Sequence, residues 1–299
     1  MTKTKKKQPS NHHSRTFKKS ICSPNKSSNR YTCYSSDNLR KLKELWNARH
    51  PDAKILSNND YEIWSQLKEN FKDTCSTEQC WLRKQFVKNK IGIDLTSYTF
   101  APQAPHTWKA NPNQWLNSLD IDRVMRQYER KFKHFVFIGP TPIDFDKKLQ
   151  YDECVWEELC KFNLEKLIKK GKTMIGIIFN VDPHNKPGAH WVSLFIDIKQ
   201  SYMLFFDSTG DPPQQQIVKL MKKIQEQGEK LGIKFTKYIN KQNHQLQDTE
   251  CGIYSIYILT ELLQKKKTKE IFLSGRIPDE EMFQLRKKYF NLDNGSIST

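Results

Sequence analysis

Apolar residues recur three or four positions apart in three successive segments near the start of the chain, which is the spacing of one face of an α-helix. These positions are Leu39, Leu42, Leu45 and Trp46, then Tyr61, Ile63, Trp64, Leu67 and Phe71, then Trp81, Leu82 and Phe86. Residues that can cap a helix precede two of the segments, at Ser36-Asp37 and in a capping-box pattern of Ser76 and Gln79. The pattern predicts an all-helical domain over residues 37–99, which we call the arm.

The hydrophobic pattern changes after residues 100–114, a Pro-rich segment that we interpret as a linker. Short runs rich in β-branched and aromatic residues then predict strands at 134–139, 173–181, 190–198, 201–208 and 233–239. Amphipathic stretches predict helices at 115–132, 155–172 and 212–232, and further helices that begin at Cys251 and at Asp279. A sheet buried against helices is therefore expected, and the fold class predicted for residues 115–299 is α+β.

Residues 1–36 contain few apolar side chains to bury, and they predict a disordered basic tail. From Met1 to Arg40 the chain carries ten Lys and Arg residues against one acidic residue, Asp37. The whole sequence has 50 Lys and Arg against 33 Asp and Glu, a formal net charge of +17, which favours anionic partners without identifying one. The tail could tether nucleic acid, direct nuclear import, or act only as a solubilising leader.

Hydropathy and cysteine content narrow the class of protein. No apolar run approaches about eighteen residues, and no apolar segment follows the positive charges at the N-terminus, so neither a transmembrane helix nor a secretory signal is predicted. Seven cysteines, an odd number, argue against a disulfide framework and for a reducing compartment. Cys75 and Cys80 could suggest a metal site, but no second pair lies nearby at metal-ligand spacing. Two free thiols on a short helix are therefore the preferred interpretation.

Cys251 lies where a polar, Gln-rich stretch gives way to an apolar helical pattern. A free cysteine is more often a buried and inert residue, but the unpaired amides of a helix N-terminus favour the thiolate form. Gly252 would leave space for a substrate backbone beside the sulfur. Gln245, six residues upstream, could direct its side-chain amide at a developing oxyanion. Cys251 is therefore a candidate nucleophile if the rest of the chain supplies a base.

His190 and Asp207 are the candidate base and its partner. His190 opens one predicted strand, and Asp207 closes the next. If the two strands form an antiparallel hairpin, both side chains lie at the same end, where the carboxylate can fix the imidazole tautomer while the other ring nitrogen faces a thiol. Singly, each residue is weak evidence, because a histidine at a strand start is commonly structural and an Asp before Ser-Thr-Gly is commonly a turn residue. Their expected position at the same end of one hairpin makes the two residues together stronger evidence for a catalytic pair than either residue alone.

Two segments carry a family resemblance: "GAHWVSLFIDIKQSYMLFFDSTG" and "QLQDTECGIYSIYIL". They resemble the His-Trp, Asp-Ser and Gln-Cys-Gly signatures of the ubiquitin-like-protein (SUMO) proteases and the adenovirus-type proteases. "QWLNSLDIDRVMRQY" is similar to the tryptophan-bearing helix upstream of the family's histidine. Within the family, the resemblance is closest to the polyprotein-processing proteases of large nucleocytoplasmic DNA viruses, whose helical arm has a segment similar to "CSTEQCWLRK". It covers about residues 110–290 and implies a papain-like-clan core, with a central mixed sheet flanked by helices.

The resemblance also implies roles for individual residues. It makes His190 the general base, Asp207 its orienting partner, Cys251 the nucleophile and Gln245 an oxyanion donor. A narrow channel for a Gly-Gly substrate tail would be lined by Trp115, Trp191 and Gly252. The alternative for both tryptophans is ordinary core packing. Neither a metal nor a cofactor is implied. The chain departs from the pattern at Ser118, where cellular members usually have Asp, and at Asp207, where viral members often have Asn.

The function implied is that of a cysteine endopeptidase that cleaves after Gly-Gly in viral structural polyproteins during virion maturation. Such an enzyme would be a monomer in the host cytoplasm, at viral factories, and in the virion, without a membrane partner, and the basic tail could bind DNA. The alternatives are a protease that removes SUMO or ubiquitin-like proteins, and a non-catalytic basic virion or nucleic-acid-binding protein on the same fold. A third is an acetyltransferase of the bacterial effector type, which has a similar His-acid-Cys triad.

Overall fold

The computed structural model describes residues 16–24, 31–84 and 98–292. The chain divides into two compact units, Met1–Phe100 and Ala101–Thr299. This division lies next to the predicted end of the arm at residue 99. Within the described ranges, no helix is long and apolar enough to cross a membrane.

The described residues of the first unit contain the helices α1 (Ser36–Arg49), α2 (Asp60–Phe71) and α3 (Glu78–Trp81). The side chains of Ser35, Asn59 and Thr77 accept hydrogen bonds from amides in the first turns of these helices. Ser35 and Thr77 each lie one residue from a predicted cap, whereas a cap at Asn59 was not predicted. Nine of the twelve apolar positions identified from helical spacing are buried: Leu39, Leu42, Trp46, Ile63, Trp64, Leu67, Phe71, Trp81 and Leu82. Leu45 is partly buried, Tyr61 is 55% exposed, and Phe86 lies outside the described residues.

Part of the predicted tail is packed in the first unit. The amide of Lys18 donates to the carbonyl of Ser76 (2.7 Å). The ring of Tyr34, 2% exposed, stacks on Trp81, and its hydroxyl donates to the carbonyl of Glu78 (2.8 Å). The prediction of a disordered tail up to residue 36 is therefore corrected for residues 16–24 and 31–35, because a few aromatic side chains among the polar ones suffice for burial. Residues 1–15 and 25–30 of the predicted tail lie outside the described residues.

Six of the seven cysteines form disulfides, which corrects the prediction of free thiols. The pairs are Cys22–Cys33, Cys75–Cys80 and Cys154–Cys160, with Cα–Cα distances of 5.2, 5.5 and 6.2 Å. An odd count does not exclude pairing, because a disulfide depends on the Cα separation that the fold creates. The remaining cysteine, Cys251, is free and buried. No cluster of three metal-ligating side chains occurs in the described part of the chain.

The second unit contains a five-stranded mixed sheet of order β1-β2-β3-β4-β5. The strands are β1 (Phe135–Pro142), β2 (Met174–Asn180), β3 (Trp191–Asp197), β4 (Tyr202–Phe206) and β5 (Thr236–Ile239). β2, β3 and β4 pair antiparallel, whereas β1 and β5 lie parallel to β2 and β4 at the two edges. All five predicted strands are present, and the α+β fold class is confirmed.

Helices cover both faces of this sheet. They are α4 (Ser118–Lys131), α5 (Glu157–Cys160), α6 (Leu164–Lys169), α7 (Gln215–Lys230), α8 (Cys251–Leu263), α9 (Lys269–Ser274) and α10 (Asp279–Tyr289), with 3₁₀ turns at His106–Lys109 and Gln150–Asp152. The single helix predicted at 155–172 is thus two, because Asn163 caps a new helix by accepting from the amide of Lys166 (2.8 Å).

α8 occupies the centre of one layer, where all thirteen of its residues are buried. It packs against β3 and β2 of the sheet and against α4 and α10. Because α8 is buried on every side, its first residue, Cys251, is held in a fixed position within the core.

The Pro-rich segment predicted to be a linker is part of the second unit. Ala104 donates its amide to the carbonyl of Asn291 (2.9 Å), and the buried ring of Trp108 packs edge-on against Phe290 (5.1 Å between centroids). The linker prediction for residues 100–114 is therefore wrong from Ala101 onward. Proline frequency identified irregular backbone, but it could not show that this backbone covers the core.

Candidate active site

The β3–β4 hairpin brings His190 and Asp207 together. Ser193 pairs with Phe206 in the antiparallel register, so the residue before β3 and the residue after β4 meet at the same end of the sheet. Nε2 of His190 lies 2.7 Å from Oδ1 of Asp207. The sequence-based prediction of this juxtaposition is confirmed, and the ring's other nitrogen, Nδ1, remains for a second partner.

The turn after β4 holds the Asp207 carboxylate in place. Oδ1 accepts from the amide of Thr209 (2.9 Å) and lies 2.7 Å from its hydroxyl, while the side chain of Asn240 donates to the Asp207 carbonyl (2.7 Å). The carboxylate is 1% exposed, so these bonds replace the water that it loses on burial. Thr209 and Asn240 were not identified from the sequence, because both lie in turns whose geometry depends on the folded sheet.

The side chain of Cys251 also acts on His190, because it is one of the groups that shift the pKa of the imidazole. Burial alone would lower the pKa of the imidazole, but the hydrogen bonds to Asp207 and Cys251 and the attraction of both groups raise it from 6.5 to about 10. The imidazolium form is therefore favoured at neutral pH. A protonated imidazole beside the sulfur of a residue at a helix N-terminus places a proton donor next to a candidate nucleophile.

The loop before α8 positions Gln245. Its side chain is 7% exposed, and its Oε1 accepts from the Ser208 hydroxyl (2.7 Å), while Nε2 donates to the carbonyl of Gln247. The preceding His244 is fully buried. It lies 3.1 Å from the carbonyl of Phe272 through Nε2, and its Nδ1 accepts from the amide of Ile277 (3.0 Å). These contacts give the Gln245 loop a defined conformation beside Ser208, the residue that follows Asp207.

Trp115 and Trp191 line one cleft of about 560 Å³, together with Gly188 and Ala189, which precede His190. Trp115 is 42% exposed, whereas Trp191 is 8% exposed and donates from Nε1 to the carbonyl of Leu116 (3.0 Å). Trp191 therefore combines core packing with a position on the cleft, and it fastens the segment that carries Trp115.

Gly252 has a different role from the one predicted. A Cβ atom built on Gly252 would lie 3.1 Å from Cβ of Leu116 and 3.2 Å from its Cδ1. The missing side chain therefore allows close packing of Leu116 against α8, and the space beside this glycine is filled by protein. This corrects the proposal that Gly252 leaves room for substrate.

A buried ion pair lies immediately before the nucleophile candidate. Nε of Arg286 donates to both carboxylate oxygens of Glu250 (3.0 and 2.8 Å), and its two terminal nitrogens donate to the carbonyls of Gln114 (2.8 Å) and Thr249 (3.2 Å). Both side chains are at most 3% exposed. Arg286 thus joins the start of α8 to the segment of Trp115. No sequence pattern links residues 36 positions apart, so this contact was missed.

The elevated pKa of His190 predicts the pH profile of any reaction that uses its imidazolium. Because the pKa is about 10, the alkaline limb of kcat/KM should lie near that pH. Asp207→Asn removes the negative charge that helps to hold the proton, so it should lower the His190 pKa and move this limb by about 1–3 pH units toward neutrality. The measurement is kcat/KM against pH for both proteins. An alkaline limb at the same pH in the variant would show that Asp207 does not control the imidazole.

The chain is similar to known proteins in sequence and in fold. A model of the Ulp1 protease family, C-terminal catalytic domain, matches residues 159–297. A protein of Acanthamoeba polyphaga mimivirus named as a thiol protease is 27% identical over 291 residues, covering 90% of this chain and 93% of that protein. The SUMO-1 cysteine protease of African swine fever virus is 26% identical over 248 residues, covering 77% and 88%. A crystal structure of the protease of African swine fever virus shares the fold, with a TM-score of 0.66, 22% identity, and coverage of 92% and 96%.

Proposed function

We propose that the chain is a cysteine peptidase of the Ulp1 type that cleaves after Gly-Gly in viral structural polyproteins during virion maturation. The match of residues 159–297 to the model of the Ulp1 catalytic domain supports the proposal. The observation that carries the proposal is the chain of contacts from Asp207 through His190 to Cys251 at the N-terminus of α8. It supplies a nucleophile, a proton carrier and an orienting carboxylate in a single network.

The proposed reaction proceeds through a thioester. The Cys251 thiolate attacks the carbonyl carbon of the second glycine. The resulting oxyanion accepts hydrogen bonds from Gln245 Nε2 and the Cys251 amide. The His190 imidazolium gives its proton to the departing amine as the C–N bond breaks. His190 then takes a proton from water, which attacks the thioester, and the peptide carboxylate leaves as the thiolate returns. Asp207 keeps the imidazole in the required tautomer throughout.

The cleft beside His190 supports the specificity part of the proposal. Two indole side chains, Trp115 and Trp191, line the same cleft as Gly188 and Ala189. Flat aromatic faces that close over an extended peptide accept bare backbone and exclude branched side chains. Glycine at both positions before the cleaved bond suits such a channel.

The substrate and location belong to the same proposal. Two similar proteins are viral proteases by name, which supports a viral polyprotein substrate. We place the activity in the host cytoplasm, at viral factories, and in the virion, and we propose a monomeric enzyme. DNA binding by the basic tail would concentrate the enzyme on packaged substrates and would weaken with salt. Most of the tail's basic residues lie outside the described residues.

Because the side chain of Trp115 is exposed, it can be replaced to test the proposed specificity for glycine before the cleaved bond. Trp115→Ala should leave the core intact and widen the channel. The ratio of kcat/KM for a Gly-Ala-x peptide to that for a Gly-Gly-x peptide should therefore rise by about tenfold or more. Leu119→Ala is the matched control, because Leu119 is 62% exposed in the same segment and does not line the cleft. Equal ratios in both variants would contradict a selective role for Trp115.

A second experiment separates polyprotein cleavage from removal of a ubiquitin-like protein. A short Gly-Gly-x peptide and a folded SUMO fusion with the same cleavage site are compared at equal concentration. A polyprotein-processing enzyme should cleave the peptide with kcat/KM within about tenfold of the fusion, whereas a deconjugating enzyme needs the folded body for most of its binding energy. Cleavage of the fusion alone would support the deconjugating alternative.

A further inference from the structure

Ser208 is a buried residue that makes two hydrogen bonds to Gln245 and one to the preceding residue, His244. Its hydroxyl donates to Oε1 of Gln245 (2.7 Å), and its main-chain carbonyl accepts from the amides of His244 (2.8 Å) and Gln245 (2.9 Å). Ser208 is 2% exposed and Gln245 is 7% exposed, so water contributes little to these contacts. Ser208 directly follows Asp207, which bonds to His190.

The orientation of the Gln245 amide decides whether it can act on an oxyanion. The two ends of the amide are similar in size, but only the nitrogen end donates hydrogen bonds. The main-chain carbonyl of Gln247 can only accept, and it pairs with Nε2, which sets the nitrogen on that side. The Ser208 hydroxyl then donates to the opposite end, Oε1. The second hydrogen of Nε2 remains available to a ligand.

We propose that Ser208 is a positioning residue of the oxyanion hole, whose hydroxyl holds the Gln245 amide with its nitrogen directed at the oxyanion of the tetrahedral intermediate. Ser208 does not touch substrate. The inference rests on the proposed function, because it assigns Gln245 the donor role in peptide cleavage. The adjacent residues Asp207 and Ser208 would then orient the two groups that the reaction needs, the imidazole of His190 and the amide of Gln245.

The test is a double-mutant cycle with Ser208→Ala, Gln245→Ala and both together. Ser208→Ala keeps all main-chain bonds and removes only the hydroxyl. It should lower kcat on a Gly-Gly-x peptide by about 10- to 100-fold and change KM by less than about twofold, because the lost interaction stabilises the transition state. In the Gln245→Ala background the same change should have almost no further effect, since the amide it orients is gone.

Alkylation of Cys251 by iodoacetamide provides a readout that is independent of the oxyanion. This displacement reaction forms no tetrahedral oxyanion, so Ser208→Ala should alkylate at the wild-type rate, measured by mass spectrometry of the Cys251 peptide. An unchanged kcat in Ser208→Ala, or an equal loss in the Gln245→Ala background, would overturn the inference. A wild-type protein that alkylates at Cys251 but cleaves no Gly-Gly-x peptide would overturn the proposed function, and this inference with it.

Discussion

Cys251→Ala should abolish cleavage of a Gly-Gly-x peptide, with a loss of at least about 10⁴-fold in kcat, because no other group in the site can form the thioester. Cys251 is the free thiol of the described residues, and the pKa of His190 is raised by its contact with this side chain. The change removes one sulfur atom from a residue that is 2% exposed. Thermal unfolding should therefore shift by only about 2–4 °C.

The control for this prediction is the wild-type protein labelled with an electrophilic Gly-Gly probe. Labelling should map to Cys251 at neutral pH and should disappear in the alanine variant. Full turnover by Cys251→Ala would contradict the nucleophile assignment. A wild-type protein that neither cleaves nor labels would support the non-catalytic binding alternative.

Arg286→Ala should lower the free energy of unfolding by about 3–5 kcal/mol, because it leaves the buried Glu250 carboxylate without its oppositely charged partner. The carboxylate is 2% exposed and accepts two charge-assisted hydrogen bonds from Arg286 and a neutral one from the hydroxyl of Thr249 (3.1 Å). The change also releases the carbonyl of Gln114, so the Trp115 segment loses one of its connections to the start of α8 and keeps the packing of Leu116 against Gly252. We expect a loss of activity even under conditions in which the variant is folded.

Urea unfolding of a matched set measures this effect. Glu250→Gln combined with Arg286→Met removes both charges and should recover most of the lost stability. Lys169→Ala breaks an exposed ion pair with Glu165 and should change stability little, because solvent screens such pairs. If Arg286→Ala unfolds at the same urea concentration as Lys169→Ala, the buried pair does not stabilise the fold.

The triad candidates could be identified from the sequence because their positions follow from local rules. A strand start, a strand end and a helix start are each visible in the hydrophobic pattern, and the short connection between two strands makes them an antiparallel hairpin. His190 and Asp207 therefore meet as a consequence of register. The approach of Cys251 to this pair needed the family resemblance, since nothing local relates a helix start to the end of a hairpin.

The residues that were missed act across long stretches of chain. Arg286 bonds to Glu250 and to Gln114, which are 36 and 172 positions away, and Ser208 bonds to Gln245, which is 37 positions away. The same limit explains the errors on cysteine pairing and on the segment after Phe100. In each case a polar residue, or a residue in irregular backbone, has several possible partners. The packing of elements that are far apart in sequence selects one of them.

The sequence by itself therefore determined the helical arm, the strands of the sheet, the α+β class and the chemically reactive side chains, because these depend on periodicity and on residue type. Only the tertiary structure decided which side chains hold the reactive groups in position, that Gly252 packs against Leu116, and that residues 16–24 and 31–35 belong to the first unit. The physical reason is that a hydrogen bond or a close packing contact depends on distances below about 4 Å. Such distances between residues far apart in sequence are set by the complete fold.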